Sequence, residues 1–188
     1  PVALYISDKN YHNIAFICAL LGHGLNSLLM KHLRSKLKLI YGLTVSYENN
    51  RCGTIFQIQT IVKNKNALVV IKELLKKLEY YGNHFVAKKE LQIAKNLFTT
   101  STLNICNTNL TQMNEFYVQQ FFLQLNSPKK NIITFSKLNK LVSNLTKGQV
   151  KDCIYNWFNP RNAVIVYYGP EIIKHRNRPI TWENIMNN

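Results

Sequence analysis

The residues of this 188-residue chain that carry chemistry are few, and their spacing restricts what they can do. There are five histidines, His12, His23, His32, His84 and His175, and nine acidic residues. A hydrolytic zinc site needs clustered imidazole and carboxylate ligands and a further carboxylate to activate water. No histidine here heads H-x-x-E-H in either orientation, and His23 and His32, nine apart, do not share a helical face. A zinc site built from this chain alone is not expected. What stands out instead is one stretch, Gly22 to Tyr41, reading GHGLNSLLMKHLRSKLKLIY. A glycine-bracketed turn leads into an amphipathic helix ending at Leu33-Arg34, with Tyr41 seven residues beyond the arginine. Taken alone, Arg34 reads as a cation answering a helix C-terminus. Tyr41 shares strand parity with Leu43, Val45 and Tyr47 and reads as core. Gly22, His23 and Gly24 read either as a flexible loop or as a helix break.

The elements that must position these residues follow from periodicity. Val2, Leu4 and Ile6 alternate on one face of a short strand. Asn10 can cap a helix whose stripe is Ile14, Ile17, Cys18 and Leu21. After the glycines, Leu25, Leu28, Leu29 and Leu33 carry a second helix to about Leu37. Residues 40–48 and 54–62 are two strands joined at Asn49–Gly53, a hairpin signal. Ala67, Val70, Ile71, Leu74, Leu75 and Leu78 make a helix closed by Gly82. A helical region follows, with Asn104 to Asn109 separating two antiparallel helices and the aromatic cluster at 116–122 serving as helix core. Ser127–Asn131 is a loop, and residues 134–144 form a short helix. Thr146-Lys147-Gly148-Gln149 is a capping box for a last helix ending at Asn159-Pro160. Val164 to Tyr168 is a buried strand. This order predicts one α+β domain: a single, mostly antiparallel four-stranded sheet packed against helices, over residues 1–170, with a basic tail at 171–188.

Composition sets the outer bounds. With 46% hydrophobic residues, the chain is long enough to bury a substantial core. No apolar run approaches the roughly 18–20 residues that span a bilayer. The sequence does not start with Met, so either a precursor was cut or it begins inside a longer protein. The net charge of +15 invites a nucleic-acid partner, but five of the 24 basic residues are Arg, and Asn is as abundant as Lys and Arg together. Such inflation points to nucleotide bias, and the paired lysines are dispersed along the chain, so nucleic acid is not the expected partner. Cys18, Cys52, Cys106 and Cys153 form no Cys-x-x-Cys, and Cys18 and Cys153 fall on apolar helical stripes. An intracellular, reducing compartment is the expectation, with mitochondrion and cytoplasm undecided.

The stretch Gly22–Tyr41 resembles the start of the second lobe in the pitrilysin/insulinase family of zinc metallopeptidases. That lobe begins Gly-Gly-Gly-x-Ser-Ser-Arg-Leu, runs to Leu-Arg-Glu and meets a strand at Gly-Leu-Ala-Tyr. Glu90-Leu91-Gln92-Ile93-Ala94-Lys95 is similar to a Glu-Leu-x-x-Ala-Lys that begins a mid-lobe helix in the family. Leu145-Thr146 through Val150 to Asn159-Pro160, then the strand ending at Gly169, is similar to its closing unit. The bacterial and mitochondrial-processing-peptidase-like members have lobes of about this size. The resemblance implies a zinc-free lobe that pairs with a homologous zinc-bearing lobe, on the same precursor or as a separate subunit, and encloses a peptide substrate. Arg34 and Tyr41 would then be the catalytic contributors, holding the substrate main chain and stabilising the oxyanion. Gly22, Gly24 and Lys38 would line the substrate cleft. Departures at Asn26, Leu28, Ser35 and Lys38 keep a second implication open, a non-catalytic structural subunit like the core proteins of respiratory complex III.

Overall fold

The computed structural model describes residues 12–50, 53–123 and 132–169. The expected strand at 2–7, the Asn10 cap, the loop at 127–131 and the tail from 171 lie outside the described residues, as does part of the turn joining the two hairpin strands. The centre of the fold is helix α1 (Asn13–Gly22). Its stripe Ile14, Ile17, Cys18 and Leu21 is buried as expected, but so are Phe16 and Leu20. A helix apolar on all sides belongs in a core. It touches strand β1 (Ile40–Asn50), helix α4 (Lys88–Thr108), helix α6 (Phe135–Ser143) and helix α7 (Lys147–Trp157). Phe16 meets Phe98 of α4 edge-on, with ring centroids 5.7 Å apart.

β1 pairs antiparallel with β2 (Gly53–Val62), so the expected hairpin is present. Val45, Tyr47, Phe56 and Ile58 pack on the helices, whereas Thr44, Glu48, Gln59 and Ile61 face outward. The fold is α+β, but the described sheet has two strands rather than four. Val164 to Tyr168 forms no strand and joins no sheet among the described residues, and Val164, Val166 and Tyr168 are exposed. An apolar β-branched run meets the requirements of a strand only where a neighbour offers its ladder groups.

Helix α3 (Ala67–Asn83) runs through Gly82, which was expected to close it. Gly82 is buried on α7, where a Cβ would lie 3.2 Å from Tyr155 Cα; the glycine permits close helix packing rather than a cap. α4 likewise runs through the polar stretch from Asn104, and only Asn109 breaks it before α5 (Leu110–Leu123). Asn109 Oδ1 accepts from the Gln112 N–H at 3.0 Å. On α5, Phe116 stacks on Phe135 of α6 with centroids 4.2 Å apart, so packing is what engages this part of the aromatic cluster. The capping box of α7 is formed: Thr146 Oγ1 accepts from Gln149 N–H at 3.2 Å, and Gln149 Oε1 from Thr146 N–H at 2.9 Å. No helix among the described residues is long and apolar enough to cross a membrane.

Burial decides which thiols can react. It pushes the Cys18 thiol up to about 12 and that of Cys153 up to about 11. Since the thiolate is the nucleophile, both are inert at neutral pH. Cys106, half-buried on α4, should therefore be alkylated well before either of them in the native protein, with the three rates converging in denaturant. Mass mapping of the modified peptides checks this.

Candidate functional site

The stretch from Gly22 to Tyr41 folds into a hinge between α1 and β1. Gly22, the last residue of α1, is buried, and a Cβ there would fall 2.3 Å from Val45 Cγ2. Gly24 is exposed with φ +73°, a left-handed turn that costs glycine nothing. Ser27 closes that turn: its hydroxyl donates to Gly24 O at 2.9 Å. Leu25, expected on the helical stripe, is left exposed in the turn, while Leu28, Leu29 and Leu33 are buried.

The helix resumes as a short α-turn, α2 (Leu28–Met30), and then widens into a π-helix at Lys31–Lys36. Arg34 lies in this π-helix, a geometry frequent at functional sites. Two side-chain pairs tie it to its neighbours. His32 Nε2 sits 2.6 Å from Glu73 Oε2 of α3, and Lys31 Nζ 3.7 Å from Glu90 Oε1 of α4. Two residues beyond the helix, Lys38 has a left-handed φ of 55°, and Leu39 N–H donates to Leu33 O at 2.9 Å. Lys38 stands where the family pattern has glycine, and the backbone supplies the reason. Lys38→Gly should raise stability by about 0.5–1 kcal/mol, the relief of a left-handed non-glycine less the added freedom of the unfolded chain. A higher denaturant midpoint at unchanged m checks it.

Tyr41 is 83% exposed, so the core reading is overturned. The cause is a bulge. Ile40 pairs with Val62, but Leu43 pairs with Thr60, so three steps on β1 answer two on β2. Ile40 and Leu43 both turn inward, and Tyr41 turns out. Bulges re-aim side chains in this way beside functional sites. The Thr60 hydroxyl donates to Gly42 O at 2.7 Å across the irregularity. Arg34 Cζ lies 4.9 Å from the Tyr41 ring centroid, a cation–π pair. The two candidate catalytic side chains are thus brought together, each from an irregular turn of its own element. Arg34 also sits in the last turn of its helix, so the macrodipole role is met at the same time. Gly24 and Lys38 are exposed, whereas Gly22 lies beneath the surface.

Two further motif elements work as staples. Lys95 Nζ donates to Ser143 O and Leu145 O at 2.8 and 2.7 Å, satisfying carbonyls at the end of α6. Glu90 holds Lys31, and Leu91 is buried. The described residues bring no group of three His, Cys, Asp or Glu side chains together, so the donors present do not fit a zinc ligand set. The spacing reading missed the His32–Glu73 pair, because 41 residues separate the partners and no local pattern links them.

The family model described as peptidase M16 inactive domain matches residues 2–98. No curated protein matches the chain. Among solved structures, a peptidase M16 inactive domain from Pseudomonas fluorescens is similar with a TM-score of 0.69 at 19% identity, over 82% of this chain and 35% of that one. A conserved protein from Enterococcus faecalis V583 is similar with a TM-score of 0.64 at 17% identity, over 81% of this chain and 34% of that one. The chain thus spans about a third of the length of these solved chains. At such identities the likeness shows the fold. The sequence match covers more than half of the residues, including the Gly22–Tyr41 hinge and the Glu90–Lys95 motif, and by it this chain belongs to the peptidase M16 inactive-domain family.

Proposed function

We propose that this chain is the metal-free lobe of an M16-type peptidase of the bacterial or mitochondrial-processing-peptidase-like kind. It pairs with a zinc-bearing homologous lobe in an intracellular, reducing compartment. The zinc chemistry belongs to the other lobe. This chain contributes two donors, the Arg34 guanidinium and the Tyr41 hydroxyl, which hold an unfolded peptide and stabilise the negative charge developing on its scissile carbonyl. Gly24 and Lys38 form the rim over which the peptide passes. Gly22 positions the segment from below. The observation that carries this reading is Tyr41, lifted out of the core by the bulge and set 4.9 Å from the Arg34 guanidinium carbon.

A second reading, a structural subunit of the complex III core-protein kind, draws on Leu28. The family pattern has arginine there, and here the side chain is 1% exposed and committed to the core. The partner separates the two. The chain should co-purify from its native source with a homologous lobe bearing an intact H-x-x-E-H, and the pair should cleave unfolded peptides in a chelator-sensitive manner. Co-purification with a lobe whose motif is broken, and no cleavage, would establish the structural subunit instead.

A further inference from the structure

We infer that Thr60, which no motif marks, is the positioning residue that holds Tyr41 out on Arg34. For its link to turnover this rests on the function proposed above; for its geometry it does not. Leu43, Val45 and Tyr47 are fixed inward by the core. In an unbroken pleat their parity would carry Tyr41 inward as well and turn Ile40 out. One extra residue on β1 lets Ile40 and Leu43 both face the core and frees Tyr41 to face the π-helix. Something must keep that extra residue in place, because a bulge disrupts its ladder and leaves backbone groups to find other partners.

Two residues are candidates for this task. Gly42 sits in the bulge, but its backbone is not left-handed, and a Cβ built on it would meet nothing within 4 Å. Neither conformation nor space requires glycine there. Thr60 lies opposite Leu43 on the partner strand, half-buried, and its hydroxyl donates to the Gly42 carbonyl at 2.7 Å. That bond satisfies the carbonyl of the residue following Tyr41 and so fixes the peptide plane from which the Tyr41 strand segment turns. The guanidinium placed over the ring then depends on a hydroxyl in the neighbouring strand, with no contact between Thr60 and Arg34 needed.

The test uses the full chain, labelled with nitrogen-15, and follows the Arg34 Nε–H resonance. Tyr41→Leu supplies the position of that resonance without an aromatic ring. Thr60→Val keeps the β-branched shape and removes the hydroxyl, so it should move the Arg34 signal toward the Tyr41→Leu value. Thr60→Ser and Gly42→Ala should leave the signal in place. An unmoved signal in Thr60→Val overturns the inference. So does a moved signal in Gly42→Ala or in Thr60→Ser, which holds even if the valine variant does not fold. In the two-lobe enzyme, Thr60→Val should lower kcat by up to about 10²-fold with little change in KM, the effect of misplacing a transition-state donor. A moved signal with normal turnover would support the positioning role and overturn the donor function assigned to Tyr41.

Discussion

Tyr41→Phe in the assembled two-lobe protein should lower kcat by about 10²-fold, the loss that follows removal of one oxyanion donor. Its unfolding midpoint should not move. The substitution deletes one oxygen from a side chain that is 83% exposed, and surface changes of this kind alter stability little. The ring stays, so the Arg34 guanidinium keeps its partner 4.9 Å from the centroid. Only chemistry at the hydroxyl is left to respond. Arg34→Lys tests the other donor. An ammonium preserves the cation over the ring but not the planar fork that grips a main-chain carbonyl, so turnover should fall here too. Normal turnover in Tyr41→Phe would end the catalytic assignment and leave the structural-subunit reading in possession. Loss of turnover together with a lowered midpoint would assign the hydroxyl to folding instead.

The parts of this fold that were legible in the sequence are those governed by near neighbours. The stripe of α3, the hairpin strands, the short helix at Phe135–Ser143 and the reciprocal Thr146–Gln149 cap are all decided within a few residues, and each is present. The misreadings share a different cause. Gly82 looked like a helix stop because its role depends on Tyr155, far away in sequence. The asparagines from 104 looked like a break, yet an exposed helix tolerates them when their side chains reach solvent. Val164 to Tyr168 has a strand's composition without a strand's partner among the described residues. The candidate site divides in the same way. Arg34 and Tyr41 were legible through the family resemblance, seven residues apart. The spacing alone gave the wrong side of the sheet for Tyr41, because a bulge inverts parity without any residue to announce it. The bonds that support the pair, His32 to Glu73 and Thr60 to Gly42, join residues 41 and 18 apart.

Gly22→Ala should destabilise the protein by about 2 kcal/mol, within the range for forcing extra volume into a packed core. The new Cβ would meet Val45 Cγ2 at 2.3 Å, Val45 Cβ at 2.7 Å and Val45 N at 2.9 Å. Moving the valine side chain alone does not relieve the clash, because Val45 N is backbone, so α1 and β1 must separate. Alanine's better helix propensity offsets little, since Gly22 is the terminal residue of α1. Gly24→Ala provides the contrast. Nothing lies within 4 Å of a Cβ there, and only the left-handed backbone objects, at about 1 kcal/mol. The double variant Gly22→Ala/Val45→Ala isolates the contact: trimming Val45 removes the nearest of the three close atoms, Cγ2, and leaves Cβ and N in place, so the pair should be less destabilised than the sum of the singles by about 1 kcal/mol. Strict additivity would show that the two residues do not press on one another. Unchanged stability with a raised KM in the two-lobe enzyme would return Gly22 to the substrate cleft. A lowered midpoint with coupling to Val45 makes it the spacer that sets how closely β1, and with it Tyr41, is held to the core.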